Sequence, residues 1–226
     1  MLFLLTSIAA GAADLVLAGQ SYTLGNSTWF LTGDPAKPIS TGTVRWDAST
    51  KTLTLDNVFI PQADGAGAVG LEINKSDFSR ITIELKGFNR VLTTSYSAFR
   101  LGSPVTIKGD GSLTVGSSSK HAVEFIGKNV ELRLEAPLNI TMAGGITANT
   151  DKTCGIAVRE GGELNFNQSA NRKMAIEKLS YINLSDDFGY LKPRGAFLAA
   201  QAIFATRTRT MSQAKKCALR KQSTTV

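Results

Sequence analysis

Four glutamates suit acid/base chemistry by type and spacing: Glu72, Glu84, Glu124 and Glu131. In Leu71-Glu72-Ile73, Ile83-Glu84-Leu85, Val123-Glu124-Phe125 and Val130-Glu131-Leu132 each acid alternates with apolar residues, so each points away from the buried face of a strand. Cleaving a glycan, by hydrolysis or elimination, needs two or more such groups gathered on one face. If strands stack turn upon turn, Glu72 aligns with Glu124 and Glu84 with Glu131. The intervening turn then places Arg100 in the first pair, and Thr106 or Lys108 in the second. Alternating charge along a sheet face is also what cross-strand pairing produces. No catalytic residue is assigned on this pattern.

Carbohydrate recognition without catalysis relies on aromatic side chains exposed among polar neighbours. Tyr96, in the Thr93–Ser97 loop, is the leading candidate, followed by Trp46 and Trp29, with Tyr22 and Tyr181 also available. Trp46 has a competing role as the anchor of a small core. Calcium would take clustered Asp and Asn oxygens, for which Asp47, Asp56 and Asn57, Asp110, and Asn149 with Asp151 are the candidates. Asp and Asn in turns commonly bond their own backbone instead, and no metal site or cofactor is assigned. His121 is the only histidine and has no matched nucleophile nearby, so it reads as a turn residue. Cys154 and Cys217 form no metal-binding motif and read as a buried thiol and an unrelated tail residue.

The elements that must position these residues announce themselves between Ala98 and Met142, where one pattern occurs twice. Phe99-Arg100-Leu101, Val105-Thr106-Ile107 and Leu113-Thr114-Val115 are followed by Val123-Glu124-Phe125, Val130-Glu131-Leu132 and Leu138-Asn139-Ile140. Three short alternating strands per 24–25 residues is what one turn of a parallel β-helix needs, because each turn covers its apolar edge by stacking on the next. Gly70–Leu85 with Val91-Leu92 supplies an earlier turn. Cys154–Val158, Glu163–Phe166 and Met174–Ile176 supply a later one, with insertions at Asn74–Arg80 and Ala143–Thr153. The inward residues are Leu71, Ile73, Ile81, Ile83, Leu85, Phe99, Leu101, Val105, Ile107, Leu113, Val115, Val123, Phe125, Val130, Leu132, Leu134, Leu138, Ile140, Ile156, Val158, Leu164 and Phe166. Each, once buried, contributes about 1.5–3 kcal/mol.

Residues 13–60 depart from this repeat. Gly42–Trp46 and Thr52–Leu55 flank Asp47-Ala48-Ser49-Thr50-Lys51 as a hairpin, and Tyr22–Leu24 and Trp29–Leu31 are strand-like. An open turn would expose core and strand edges, so this segment is expected to be an N-terminal β cap.

The run Gly42-x-Val44-x-Trp46-Asp47 with Leu53-Thr54-Leu55-Asp56-Asn57, followed by Gly70–Ile73, Ile81–Leu85 and Val105–Val115, resembles secreted bacterial parallel β-helix proteins. Some of these are carbohydrate-binding modules related in shape to pectate lyases. The resemblance covers about Leu15 to Arg194 and implies fold and export; it transfers no site residue.

Residues 1–12, an apolar run ending in small residues without a basic start, read as a signal peptide. The chain carries 25 bases and 18 acids, but eight bases and no acid follow Asp187, leaving 17 bases against 18 acids before it. The near-neutral body and the lack of aromatics after Phe204 argue against a nucleic-acid partner. Residues 195–226 read as a basic tail, disordered or partly helical, or as the product of a shifted reading frame.

The sequence therefore predicts an all-β protein, a right-handed parallel β-helix of about four turns over residues 61–194 behind an N-terminal cap; the alternative is an antiparallel β-sandwich. It predicts a non-enzymatic, exported or cell-surface structural or binding module whose partner is an extracellular polysaccharide, with no membrane span and no defined oligomeric state. The alternative function is a β-helix polysaccharide lyase or glycoside hydrolase.

Overall fold

Among the described residues, apolar–polar alternation becomes twenty-one strands and no helix. The computed structural model describes residues 13–35, 39–63, 69–75, 77, 79–142, 145–148, 153–167, 174–184, 190–194 and 197–200. The expected signal peptide, most of the tail, and Asn149 with Asp151 lie outside them. No helix among the described residues is long and apolar enough to cross a membrane.

Strands β6 (Leu71–Ile73), β7 (Ile81–Lys86) and β8 (Phe88–Thr93) make one turn, and β9 (Phe99–Leu101), β10 (Val105–Gly109) and β11 (Ser112–Ser117) the next. They are followed by β12 (Val123–Phe125), β13 (Glu131–Leu134) and β14 (Pro137–Met142), then β15 (Ile146–Ala148), β16 (Gly155–Val158) and β17 (Glu163–Asn167). Their number matches the four turns expected. Strands β18 (Met174–Glu177), β19 (Tyr181–Leu184), β20 (Tyr190–Arg194) and β21 (Phe197–Ala200) continue the stack, so strand pairing reaches beyond Arg194 into the segment expected as tail. From β6 onward every pairing within the stack is parallel, on three faces, which makes the fold a β-solenoid and excludes the sandwich.

All twenty-two residues expected to point inward are 0–1 % exposed. The step holds where Phe99 stacks under Val123 and Leu113 under Leu138. On the second face it does not: Val105 stacks on Leu132, not on Val130. The phase of the fourth turn also differs from expectation. Ile146-Thr147-Ala148, inside the expected insertion, stacks on Val123-Glu124-Phe125 and opens the turn, and Gly155–Val158 stacks on Glu131–Leu134 as its second strand. Met174–Ile176, expected as its third strand, lies on the first face instead, with Ile176 paired to Ile146.

The cap shares a strand with the solenoid. In β5 (Thr52–Ala63), Thr52–Asp56 pair with β7 and Phe59–Ala63 pair with β8, so one strand lines two faces. Asn57 turns the corner with φ 52°, a left-handed conformation that Asn tolerates. Its Oδ1 accepts the Phe88 N–H at 3.2 Å. Buried Asn89 ties the same corner: its Oδ1 accepts the Val58 N–H at 2.9 Å, and its Nδ2 donates to the carbonyls of Lys86 and Ser112. Outside β5, β4 (Thr41–Asp47) forms the expected hairpin and β3 (Trp29–Thr32) pairs with β4. On the first face, β1 (Leu15–Leu17) pairs antiparallel with β6 and with β2 (Gln20–Tyr22), ending the parallel edge.

Candidate functional site

The first face brings Glu72, Arg100 and Glu124 into line on β6, β9 and β12, as their spacing predicts. Arg100 Nη1 donates to Glu72 Oε2 at 2.6 Å and its Nε to Glu124 Oε2 at 3.1 Å. The Glu72, Arg100 and Glu124 side chains are only 13, 28 and 15 % exposed. Strand spacing of about 4.8 Å would set the two acids roughly 10 Å apart, but the guanidinium fills the interval. The arrangement is an ion-pair ladder, with neither carboxylate directed at open space.

The second predicted pair does not form. Glu84 aligns with Lys108, and Arg80 rather than Glu84 reaches Glu131. The physical reason is register: Glu84 faces Lys108, two residues beyond the Thr106 that a constant step would set opposite Glu131, and a two-residue shift in β13 carries Glu131 two further while keeping inward and outward faces intact. Glu131 accepts from Arg80 Nη2 at 3.0 Å, from Arg133 Nη2 at 3.4 Å, and from the Tyr181 hydroxyl at 3.0 Å. Burial alone would raise the Glu131 carboxyl; the Tyr181 hydroxyl and the two guanidiniums outweigh it and hold it below the usual 4.5. Burial, then the Glu131 charge and hydrogen bond, push the Tyr181 phenol up to about 12. Gly155, between Glu131 and Tyr181 in register, makes this contact sterically feasible: a Cβ there would overlap Cε1, Cζ and Cε2 of the tyrosine ring.

The aromatic candidates separate. Trp46 is 1 % exposed and its indole N–H donates to the Gly25 carbonyl at 3.0 Å, so it is the cap's core anchor and not a sugar platform. This corrects its assignment as a binding residue: its position on β4 places it inward, alternating with outward Arg45. Trp29 is half-buried, stacks on Tyr22 with centroids 5.3 Å apart, and donates to the Thr23 carbonyl. Tyr96 is 37 % exposed on its loop, whose backbone is held by Ser117 Oγ donating to the Tyr96 carbonyl. The structure does not bring Tyr96 and Trp29 together at one groove.

Among the calcium candidates, Asp47 Oδ1 accepts from the Ser49 N–H, the Ser49 hydroxyl and the Thr50 N–H, closing its own turn. The Ser49 hydroxyl first, with these backbone bonds, lowers the Asp47 carboxyl against its desolvation. Asp56 Oδ1 accepts from Asn57 Nδ2. Cys154 is buried and donates to the Gly127 carbonyl. The His121 carbonyl accepts the Ala98 N–H in the strand-to-strand turn.

A site that sequence reasoning missed lies where cap and solenoid meet on the outer second face. There Phe30, Arg45, Thr54, Glu84 and Lys108 form one cross-strand row over β3, β4, β5, β7 and β10. Thr43, Asp56 and Lys86 form the parallel row beside it. These residues point outward because their neighbours Val44, Trp46, Leu53, Leu55, Ile83 and Leu85 are buried inward. Together they line a groove of about 390 Å³, with Thr52 and Asp47 at its side. Phe30, 59 % exposed, borders it. The groove's acids are engaged: Asp47 in its turn and with Arg45 at 3.6 Å, Asp56 by Asn57, and Glu84 by the Thr54 hydroxyl at 3.2 Å. The signal for this groove was present in the alternation of β3 and β4; the register that assembles it was not.

The parallel three-faced stack is a β-solenoid, and comparison with protein families, curated proteins and solved structures finds no match for the chain.

Proposed function

We propose that this protein is a non-enzymatic, exported or cell-surface module that binds polysaccharide in the groove between its cap and its second face. The observation that carries the reading is an exposed aromatic ring, Phe30, bordering an open channel lined by the hydroxyls of Thr43, Thr52 and Thr54. Sugar rings present an apolar face and an equatorial belt of hydroxyls, so an aromatic edge with hydroxyl and charged partners suits them. A flat sheet face also offers a linear run of binding groups to an extended polymer. The carboxylates best spaced for acid/base work are held in ion pairs, which favours binding over cleavage. Export rests on the apolar, small-residue character of residues 1–12 and on the resemblance to secreted β-helix proteins.

The test is retention of the full chain on a panel of insoluble glycans, with the supernatant analysed for new reducing ends and unsaturated products. Retention without product supports the proposal. Release of either product, abolished by Glu72→Gln or Glu124→Gln, would overturn it in favour of a lyase or hydrolase.

A further inference from the structure

Resting on the glycan-binding reading, we infer that the groove selects an anionic polysaccharide, one bearing sulfate or carboxylate groups, through Lys86 and Lys108. Four of the six charged residues lining the groove already have a partner within the chain. Asp47, Asp56 and Glu84 each accept a side-chain hydrogen bond from within the chain, and Arg45 lies against Asp47. Lys86 and Lys108 are exposed, and among the described residues neither makes an ion pair or side-chain hydrogen bond. The groove's formal charges balance, and among the described residues its two charged groups without a partner are these lysines.

The fold fixes the spacing of this pair. Lys108 stands opposite Glu84 on the neighbouring strand, and Lys86 lies two residues further along. With strands about 4.8 Å apart and a two-residue rise of about 6.6 Å, the two Cα atoms lie roughly 8 Å from each other. Both lysines line the channel that Phe30 borders. An anionic group on a bound sugar can thus meet one lysine while the next along the polymer approaches the other. Ammonium–anion hydrogen bonds are charge-assisted, and neither ammonium makes one among the described residues although Glu84 and Asp56 stand opposite Lys108 and Lys86.

The experiment measures retardation of the full chain by dextran sulfate, by a polyuronate and by uncharged dextran, for the native protein and for Lys86→Gln/Lys108→Gln. Both proteins retain the eight bases after Asp187, so binding through the tail is common to both. The inference predicts that the native chain binds at least one polyanion in preference to uncharged dextran. The double glutamine variant should lose roughly tenfold or more in that affinity, and Lys86→Arg/Lys108→Arg should restore it. Preference for dextran sulfate assigns sulfate as the anion, and preference for the polyuronate assigns carboxylate; either supports the inference. Undiminished polyanion binding by the glutamine variant, with its urea midpoint unchanged, overturns it. Equal retention by uncharged dextran also overturns it but leaves the glycan-binding reading standing, whereas retention by no glycan at all overturns both.

Discussion

Replacing Gly155 with alanine tests how the second face is held together. Glu131, Gly155 and Tyr181 sit at matched positions on three successive strands, and the tyrosine reaches over the glycine to place its hydroxyl 3.0 Å from Glu131 Oε2. An added Cβ would occupy the space of the ring, so the ring must move and the bond to the carboxylate is lost. A hydrogen bond to a charged group contributes about 1.5–3 kcal/mol. Alanine recovers about 0.5–1 kcal/mol, because glycine loses more backbone freedom on folding. The net expectation is a loss of about 1–2 kcal/mol, read as a lower urea midpoint with unchanged slope. A second readout is specific to the contact. The Tyr181 phenol, held up at about 12 by burial and by Glu131, should titrate closer to its usual 10.0 in Gly155→Ala. Subtraction of the Tyr181→Phe titration isolates this tyrosine from the other three. In a Tyr181→Ala background the same alanine should be neutral or stabilising. An equal cost in both backgrounds, or an unmoved phenol titration, would refute the reasoning.

Glu131 is held below its usual 4.5 in the folded chain, so its ionised form contributes stability above that value which is lost as pH falls through the folded pKa. Glu131→Gln should flatten the acid limb of a stability-against-pH curve below about pH 4.5. Arg100→Met removes the cation between Glu72 and Glu124; partial burial puts the cost at about 2–3 kcal/mol, between values for exposed and buried pairs, and a double-mutant cycle with Glu72→Gln should show coupling. Asn89→Ala strands the Val58 N–H and opens the corner, costing about 2–3 kcal/mol and speeding hydrogen exchange at the Val58 amide.

Inward and outward positions were readable because strand alternation has period two, and Phe99, Val105 and Leu113 announce it three times in one turn. The same periodicity hides shifts of two residues. The turn from Phe125 to Glu131 is longer than that from Leu101 to Val105, while the turn from Leu134 to Pro137 closes up, so Leu138 returns to register although Leu132 has moved. Glu72, Arg100 and Glu124 align because β6, β9 and β12 keep register, whereas Glu84 and Glu131 lie two residues out of line even at a constant step, and the shift in β13 doubles that offset. Ile146-Thr147-Ala148 is hard to see because it lacks the charged centre and the second large apolar residue that mark Leu71-Glu72-Ile73, Phe99-Arg100-Leu101 and Val123-Glu124-Phe125. The groove was hidden for a related reason: Phe30, Thr54 and Lys108 are far apart in sequence, and only the dual pairing of β5, antiparallel to β4 and parallel to β7, puts them in one row. Trp46 admits both a platform and a core-anchor role by residue type, and its alternation with Arg45 on β4 decides for the core.

The most direct test of the central claim is hydrogen exchange on the full chain, with and without the polysaccharide it retains most strongly from the panel. The account predicts that new protection concentrates in β3, β4, the Thr52–Asp56 part of β5, β7 and β10, around Phe30, Lys86 and Lys108. Protection confined to the Glu72–Arg100–Glu124 face, to the Tyr96 loop or to the basic residues after Asp187 would contradict it.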